Sequence, residues 1–81
     1  MTYNKLNSIL PADSEIHYKT DCSQFFLDNN LNINDYSKYK FILFEYTIDY
    51  LPDTIKSLEN NNIKYKLKTD DWNLKYILIE K

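Results

Sequence analysis

Cys22 and His17 are the single cysteine and the single histidine of the chain, and Asp21 stands beside the thiol. Cys22 falls where a strand turns into a helix. Free N–H groups and aligned dipoles at a helix start favour the thiolate, so this position suits a nucleophilic or sulfur-accepting cysteine. Lys19 would assist such a thiolate and Asp21 would oppose it. The plainer reading is a small buried hydrophobe, which a free cysteine commonly is. His17 with Cys22 and Asp21 suggests a Cys–His pair or a metal site. Structural zinc usually takes four ligands, which the Cys and His of this chain cannot supply. No metal and no cofactor is expected, and His17 reads as a surface or partly buried residue.

Three further groups invite a chemical reading. Lys64, Lys66 and Lys68 form a row on one strand face, with Lys75 alongside. Such a row suits RNA backbone, or is a solvated face whose lysines discourage edge pairing. Asp49 and Asp53 flank a helix start, where negative charge is stabilising without chemistry. Asp70 and Asp71 sit in a turn, where aspartate is common. Tyr36, Tyr39, Tyr50 and Trp72 lie at element ends, among eight tyrosines and one tryptophan. Aromatics at element ends suit a protein interface, since they combine large rigid area with a polar handle.

The elements that must hold these residues follow from the spacing. Tyr3, Leu6 and Leu10 mark a helix ended by Pro11. Glu15–Thr20 alternates as a short strand. Asp21 with Gln24 forms a capping-box pattern before a helix over Cys22–Asn29. Tyr39–Ile48 is the strongest strand, with Ile42, Phe44, Tyr46 and Ile48 on one face and Phe41 and Leu43 on the other. Apolar residues on both faces mark a central strand, and the N-terminal segment or a partner should cover Phe41 and Leu43. Pro52–Asn60 is an amphipathic helix with proline in its first turn. Ile63–Thr69 and Asn73–Lys81 form a hairpin around Thr69–Trp72. The resulting expectation is one domain over residues 1–81, of α/β class. It is a two-layer sandwich in the order β-α-β-α-β-β, with an extra N-terminal helix and a four-stranded mixed sheet. Right-handed crossovers would set both crossover helices on one side.

The order and spacing of these elements resemble the small sulfur carriers of the sulfurtransferase TusA type. A cysteine directly follows the first strand, Asp53-Thr54-Ile55 starts the second crossover helix, and Ile79-Glu80-Lys81 ends the hairpin. The family's diagnostic Cys-Pro-x-Pro is replaced here by Cys22-Ser23-Gln24-Phe25, and the glycines common in the family are missing. The resemblance implies the fold, and it implies a sulfur-accepting role for Cys22 alone.

Bulk composition bounds the rest. With 43% hydrophobic and 27% charged residues, the chain should fold. It has no glycine, which removes every glycine-cradled phosphate site. Positions needing positive φ must fall to Asn or Asp, and ten asparagines are at hand; an AT-rich coding sequence would produce the same bias. All ten cations are lysine and the net charge is −2. Arginine is the usual reader of phosphate and guanine, so specific nucleic-acid binding is disfavoured. One cysteine suggests a cytoplasmic chain, no signal peptide is evident, and no apolar run is long enough for a membrane. The expected function is a small non-catalytic module that binds a protein, of the inhibitor, immunity, antitoxin or phage anti-defence kind. The alternatives are a degenerate sulfur carrier using Cys22 and an RNA-backbone binder using the lysine row.

Overall fold

The computed structural model describes residues 1–81. Helix α1 spans Tyr3–Ile9, strand β1 His17–Tyr18, helix α2 Ser23–Asp28 and strand β2 Tyr39–Phe44. Helix α3 spans Leu51–Asn60, strand β3 Tyr65–Thr69 and strand β4 Lys75–Glu80. Short 3-10 turns at Lys19–Cys22, Ile33–Tyr36 and Glu45–Thr47 fill the connections. The sheet order is β1-β2-β4-β3.

The α/β class and the four strands agree with the sequence, but the sheet is not mixed. Every neighbouring pair is antiparallel. β4 inserts between β2 and β3, so the parallel strands joined through α3 never touch. The segment holding α2 is no crossover either, because it links the antiparallel neighbours β1 and β2.

Helices also pack on both faces instead of one. Phe41 and Leu43 of β2 and Ile77 and Ile79 of β4 meet Leu6 of α1 and Leu58 of α3 in one apolar cluster. Ile42 and Phe44, with Tyr76 and Leu78, meet Cys22 and Phe26 from the other side. The N-terminal helix thus helps cover Phe41 and Leu43. Four consecutive buried residues, Tyr76–Ile79, are what a strand covered on both faces requires.

Two elements are shorter than their patterns suggest. β2 stops at Phe44, where the Thr47 hydroxyl donates to the Phe44 carbonyl at 3.0 Å and the chain tightens into a 3-10 turn. Tyr46 therefore turns outward, and Ile48 joins the opposite cluster from Phe44. β1 keeps two residues, because the 3-10 turn at Lys19 follows at once. The expected capping box is absent: Cys22 occupies the α2 N-cap without a side-chain capping bond, and Gln24 donates forward to Asp28 at 2.8 Å.

The helix ends show how the chain manages without glycine. Asp13, Asn30, Asn62 and Asn73 take the four positive φ angles. At the end of α2, Asn30 has φ 56°, Asn30 N donates to Leu27 O at 3.1 Å, and Leu31 N donates to Phe26 O at 2.8 Å. At the end of α3, Asn62 has φ 56°, Asn62 N donates to Glu59 O at 3.1 Å, and Ile63 N donates to Leu58 O at 3.0 Å. Both are Schellman closures with asparagine in the left-handed position. Leu31 and Ile63 then pack into the two clusters.

Candidate functional site

Residues beyond the ends of β2 and β3 and before the start of β4 gather at one end of the sheet. β2 runs out at Phe44, which pairs with Tyr76, while Lys68 pairs with Tyr76 from the other side. The turn at Glu45–Thr47, the start of α3 and the loop joining β3 to β4 all leave from this end. Lys75 N donates to the Glu45 carboxylate at 3.1 Å and fastens the first of these to β4. Four large side chains are exposed here: Tyr46, Tyr50, Trp72 and Leu74.

The loop carrying Trp72 is fixed by side-chain acceptors. One Asp70 carboxylate oxygen accepts from Trp72 N at 2.9 Å and from Leu74 N at 2.8 Å. The backbone closes with Asp70 N donating to Leu74 O at 2.8 Å and Asn73 N to Asp70 O at 3.1 Å. Asn73 takes φ 67°, the left-handed residue that a three-residue hairpin loop needs. Asn29, buried at the end of α2, then reaches in from across the fold. Its amide nitrogen donates to Phe25 O at 2.9 Å, and its amide oxygen accepts from Asp71 N at 3.0 Å. A single asparagine thus closes α2 and ties the hairpin loop to it.

Of the four aromatics expected at an interface, Trp72 is 64% exposed and Tyr50 57% exposed. Tyr36 and Tyr39 are 9% and 8% exposed and belong to the core on the α2 side. Their position at element ends was misleading, because a 3-10 turn folds Tyr36 back onto Phe26 at 5.2 Å and Tyr39 lies 6.2 Å from Tyr36. The spacing does not single out Tyr46, Leu74 or Asn29 as site residues, and Asp70 stands in the turn the sequence assigns to it. Asp70 and Asn73 carried a readable turn signal. Asn29 had no local one, since its partner is 42 residues away.

The lysine row divides. Lys66 and Lys68 share the α2-side face, opposite Leu78 and Tyr76. Lys68 turns inward, with its ammonium 5.1 Å from the centre of the Tyr36 ring and 3.5 Å from the Tyr36 hydroxyl. Lys64 precedes the strand. Lys75 pairs with Thr69 and so points to the opposite face, which corrects its place in the row.

Cys22 is buried, and its thiol donates to the Tyr18 carbonyl at 3.4 Å. Burial pushes the thiol pKa up and Asp21 pushes it further. The expected lowering at a helix start is reversed, because α2 has six residues and the sulfur points into the core. His17 packs edge-on against Phe44 at 5.2 Å and lies 3.5 Å from Glu15. No three His, Cys, Asp or Glu side chains gather where they could hold a metal ion. No helix is long and apolar enough to cross a membrane. No family model, no curated protein and no solved structure matches this chain.

Proposed function

We infer that this protein is a small non-catalytic module that binds another protein through the hairpin end of its sheet. One observation carries the reading: Trp72 is exposed on a loop whose backbone is held by Asp70 and Asn29. An aromatic anchor on a preorganised loop loses little freedom on binding, and tryptophan and tyrosine dominate interface energetics. Tyr46, Tyr50 and Leu74 extend the apolar area around it. Glu45, Asp49, Asp70 and Asp71 stand among these aromatics. Their carboxylates repel phosphate, which favours a protein partner over nucleic acid.

Such a module acts by occupying its partner's surface, as an inhibitor, immunity protein, antitoxin or anti-defence protein does, in a cytoplasmic setting. The sulfur-carrier alternative, like the resemblance behind it, has less support, since the Cys22 thiol is buried and its pKa is raised. The RNA-backbone alternative loses Lys75 to the other face and Lys68 to Tyr36.

The test is affinity capture from a lysate of the source cells, comparing the wild type with a Trp72→Ala, Tyr50→Ala double variant. One protein retained at near-equal stoichiometry, resistant to nuclease and lost from the double variant, is the expected result. Retention of RNA that disappears with nuclease and is indifferent to the double variant would overturn the reading.

A further inference from the structure

We propose that the open edge of β3 takes up an extended acidic segment of the protein partner as a fifth strand of the sheet. The proposal rests on the protein-binding reading above and names the part of the partner that is recognised.

The edge is defined by the hydrogen bonds at the two ends of the β3–β4 ladder. Glu80 N donates to Lys64 O at 3.1 Å, and Asp70 N donates to Leu74 O at 2.8 Å. In an antiparallel ladder the residues bonded to the partner strand recur at every second position. Lys64, Lys66, Lys68 and Asp70 therefore turn their backbone groups toward β4. Tyr65, Leu67 and Thr69 turn theirs away, and no hydrogen bond outside the ladder reaches the backbone groups of these three residues. Three N–H and three C=O groups thus face outward in a row. The other edge of the sheet, β1, has only two residues.

The side chains along this edge select the occupant. Lys66 is exposed and Lys68 half-buried on one face of β3, with Lys64 just before them. The alternate face carries Tyr65, with the Glu59 carboxylate close to its phenol, and the exposed Leu67. A strand laid beside β3 meets the exposed Lys64 and Lys66 at alternate positions on one face, while Lys68 is held back on Tyr36. On the other it meets apolar area and a carboxylate. The complementary segment alternates Asp or Glu with apolar or hydroxyl residues, and its acids end before Asp70. Main-chain bonds give such strand addition its affinity and the alternate side chains its specificity. A second copy of this chain is a poor occupant. A two-fold pairing centred on Leu67 sets Lys66 opposite Lys68 of the other copy, and like charges directly opposite are destabilising, while the Asp70 carboxylate that would face Lys64 is already taken by its own loop. The edge leads straight into the loop of Trp72, so the added strand continues onto the aromatic end of the sheet.

The experiment uses the full chain and a capped nine-residue peptide alternating glutamate with valine and threonine, with a lysine-for-glutamate peptide as control. Amide exchange is followed by NMR. The amides of Tyr65, Leu67 and Thr69 should exchange quickly in the free protein and slow at least about tenfold with the acidic peptide, with weaker or no protection from the basic one. Leu67→Pro should remove the protection while leaving the melting temperature nearly unchanged, because proline is tolerated where the N–H faces away from the sheet. Lys64→Glu with Lys66→Glu, which breaks no ladder bond, should transfer the preference to the basic peptide. No protection of these three amides by the acidic peptide, or equal protection by both peptides, overturns the proposal, as does concentration-dependent self-association that protects the same amides. If the captured protein still depends on Trp72 while the edge stays unprotected, strand addition fails and the protein-binding reading stands.

Discussion

Truncating Phe44 and truncating Tyr46 should have sharply different consequences, although simple alternation sets both on one face of one strand. Phe44 is 6% exposed, and its ring meets Phe25 at 5.0 Å and His17 at 5.2 Å. Phe25 also lies 5.0 Å from Tyr76, so this contact docks α2 on the sheet. Phe44→Ala should cost about 3–5 kcal/mol, the range for a buried aromatic. The lower half is expected, because the exposed Tyr46 ring, 5.5 Å away, can fall into part of the space. A chain of 81 residues has on the order of 4–12 kcal/mol of stability in all. At about 4–8 °C per kcal/mol for a domain of this size, the melting temperature should fall by at least about 12 °C. Tyr46 is 66% exposed and makes one stacked contact. Tyr46→Ala should cost about 1 kcal/mol, in line with an aromatic pair, and lower the melting temperature by about 4–8 °C. Thermal and urea melts of both variants decide the matter. Equal losses would mean the strand continues through Tyr46, and a near-neutral Phe44→Ala would remove Phe44 from the core.

Three more outcomes follow from the same geometry. Cys22 should alkylate more slowly than free cysteine at neutral pH and react fully only in denaturant, since it is buried with a raised pKa; rapid labelling of the folded protein would restore the sulfur-accepting alternative. Burial, with Tyr36, Asp70 and Asp71 adding to it, pushes the Tyr76 phenol up to about 12. The unfolded chain releases that proton near pH 10 while the fold keeps it, so this stability is complete below about pH 10 and is lost as pH rises toward 12. Urea midpoints should fall across that window and fall less in Tyr76→Phe. Asn62→Ala should cost about 0.5–1 kcal/mol, because alanine keeps the β-carbon and loses the short polar side chain that makes asparagine tolerant of the left-handed region, whereas Asn62→Gly should stay within about 0.5 kcal/mol of the wild type or rise slightly above it; an alanine variant as stable as the glycine variant would contradict the Schellman closure.

The local punctuation of the fold was legible. Asn30 and Asn62 end their helices where glycine would, because asparagine is the next most tolerant residue at positive φ. Pro52 lies in the first turn of α3, and the apolar run from Phe41 to Phe44 is central. What failed depends on contacts distant in sequence. The chain tightens into a 3-10 turn just past Phe44, where the Thr47 hydroxyl bonds the Phe44 carbonyl, and the alternation of Tyr46 and Ile48 gives no warning of it. The α2 side of the sheet is filled partly by Tyr36 and Tyr39, so two expected interface residues became core.

Strand order has its own signal in the sequence. Lys64, Lys66 and Lys68 alternate with apolar residues, whereas Tyr76–Ile79 is apolar without a break. A strand with water on one face can afford the first pattern, and a strand covered on both faces needs the second. Compared directly, the two patterns make β4 central and β3 the edge, which is the observed order. The insertion of β4 between β2 and β3 follows, and with it the antiparallel sheet. The same comparison gives the lysines one meaning in the fold and another in the function. They guard a strand whose outer backbone groups are unpaired, because like charges oppose pairing with a second copy. Under the proposed strand addition, the cations that repel a like edge would attract an acidic one, so the residues that oppose self-association would also select the partner.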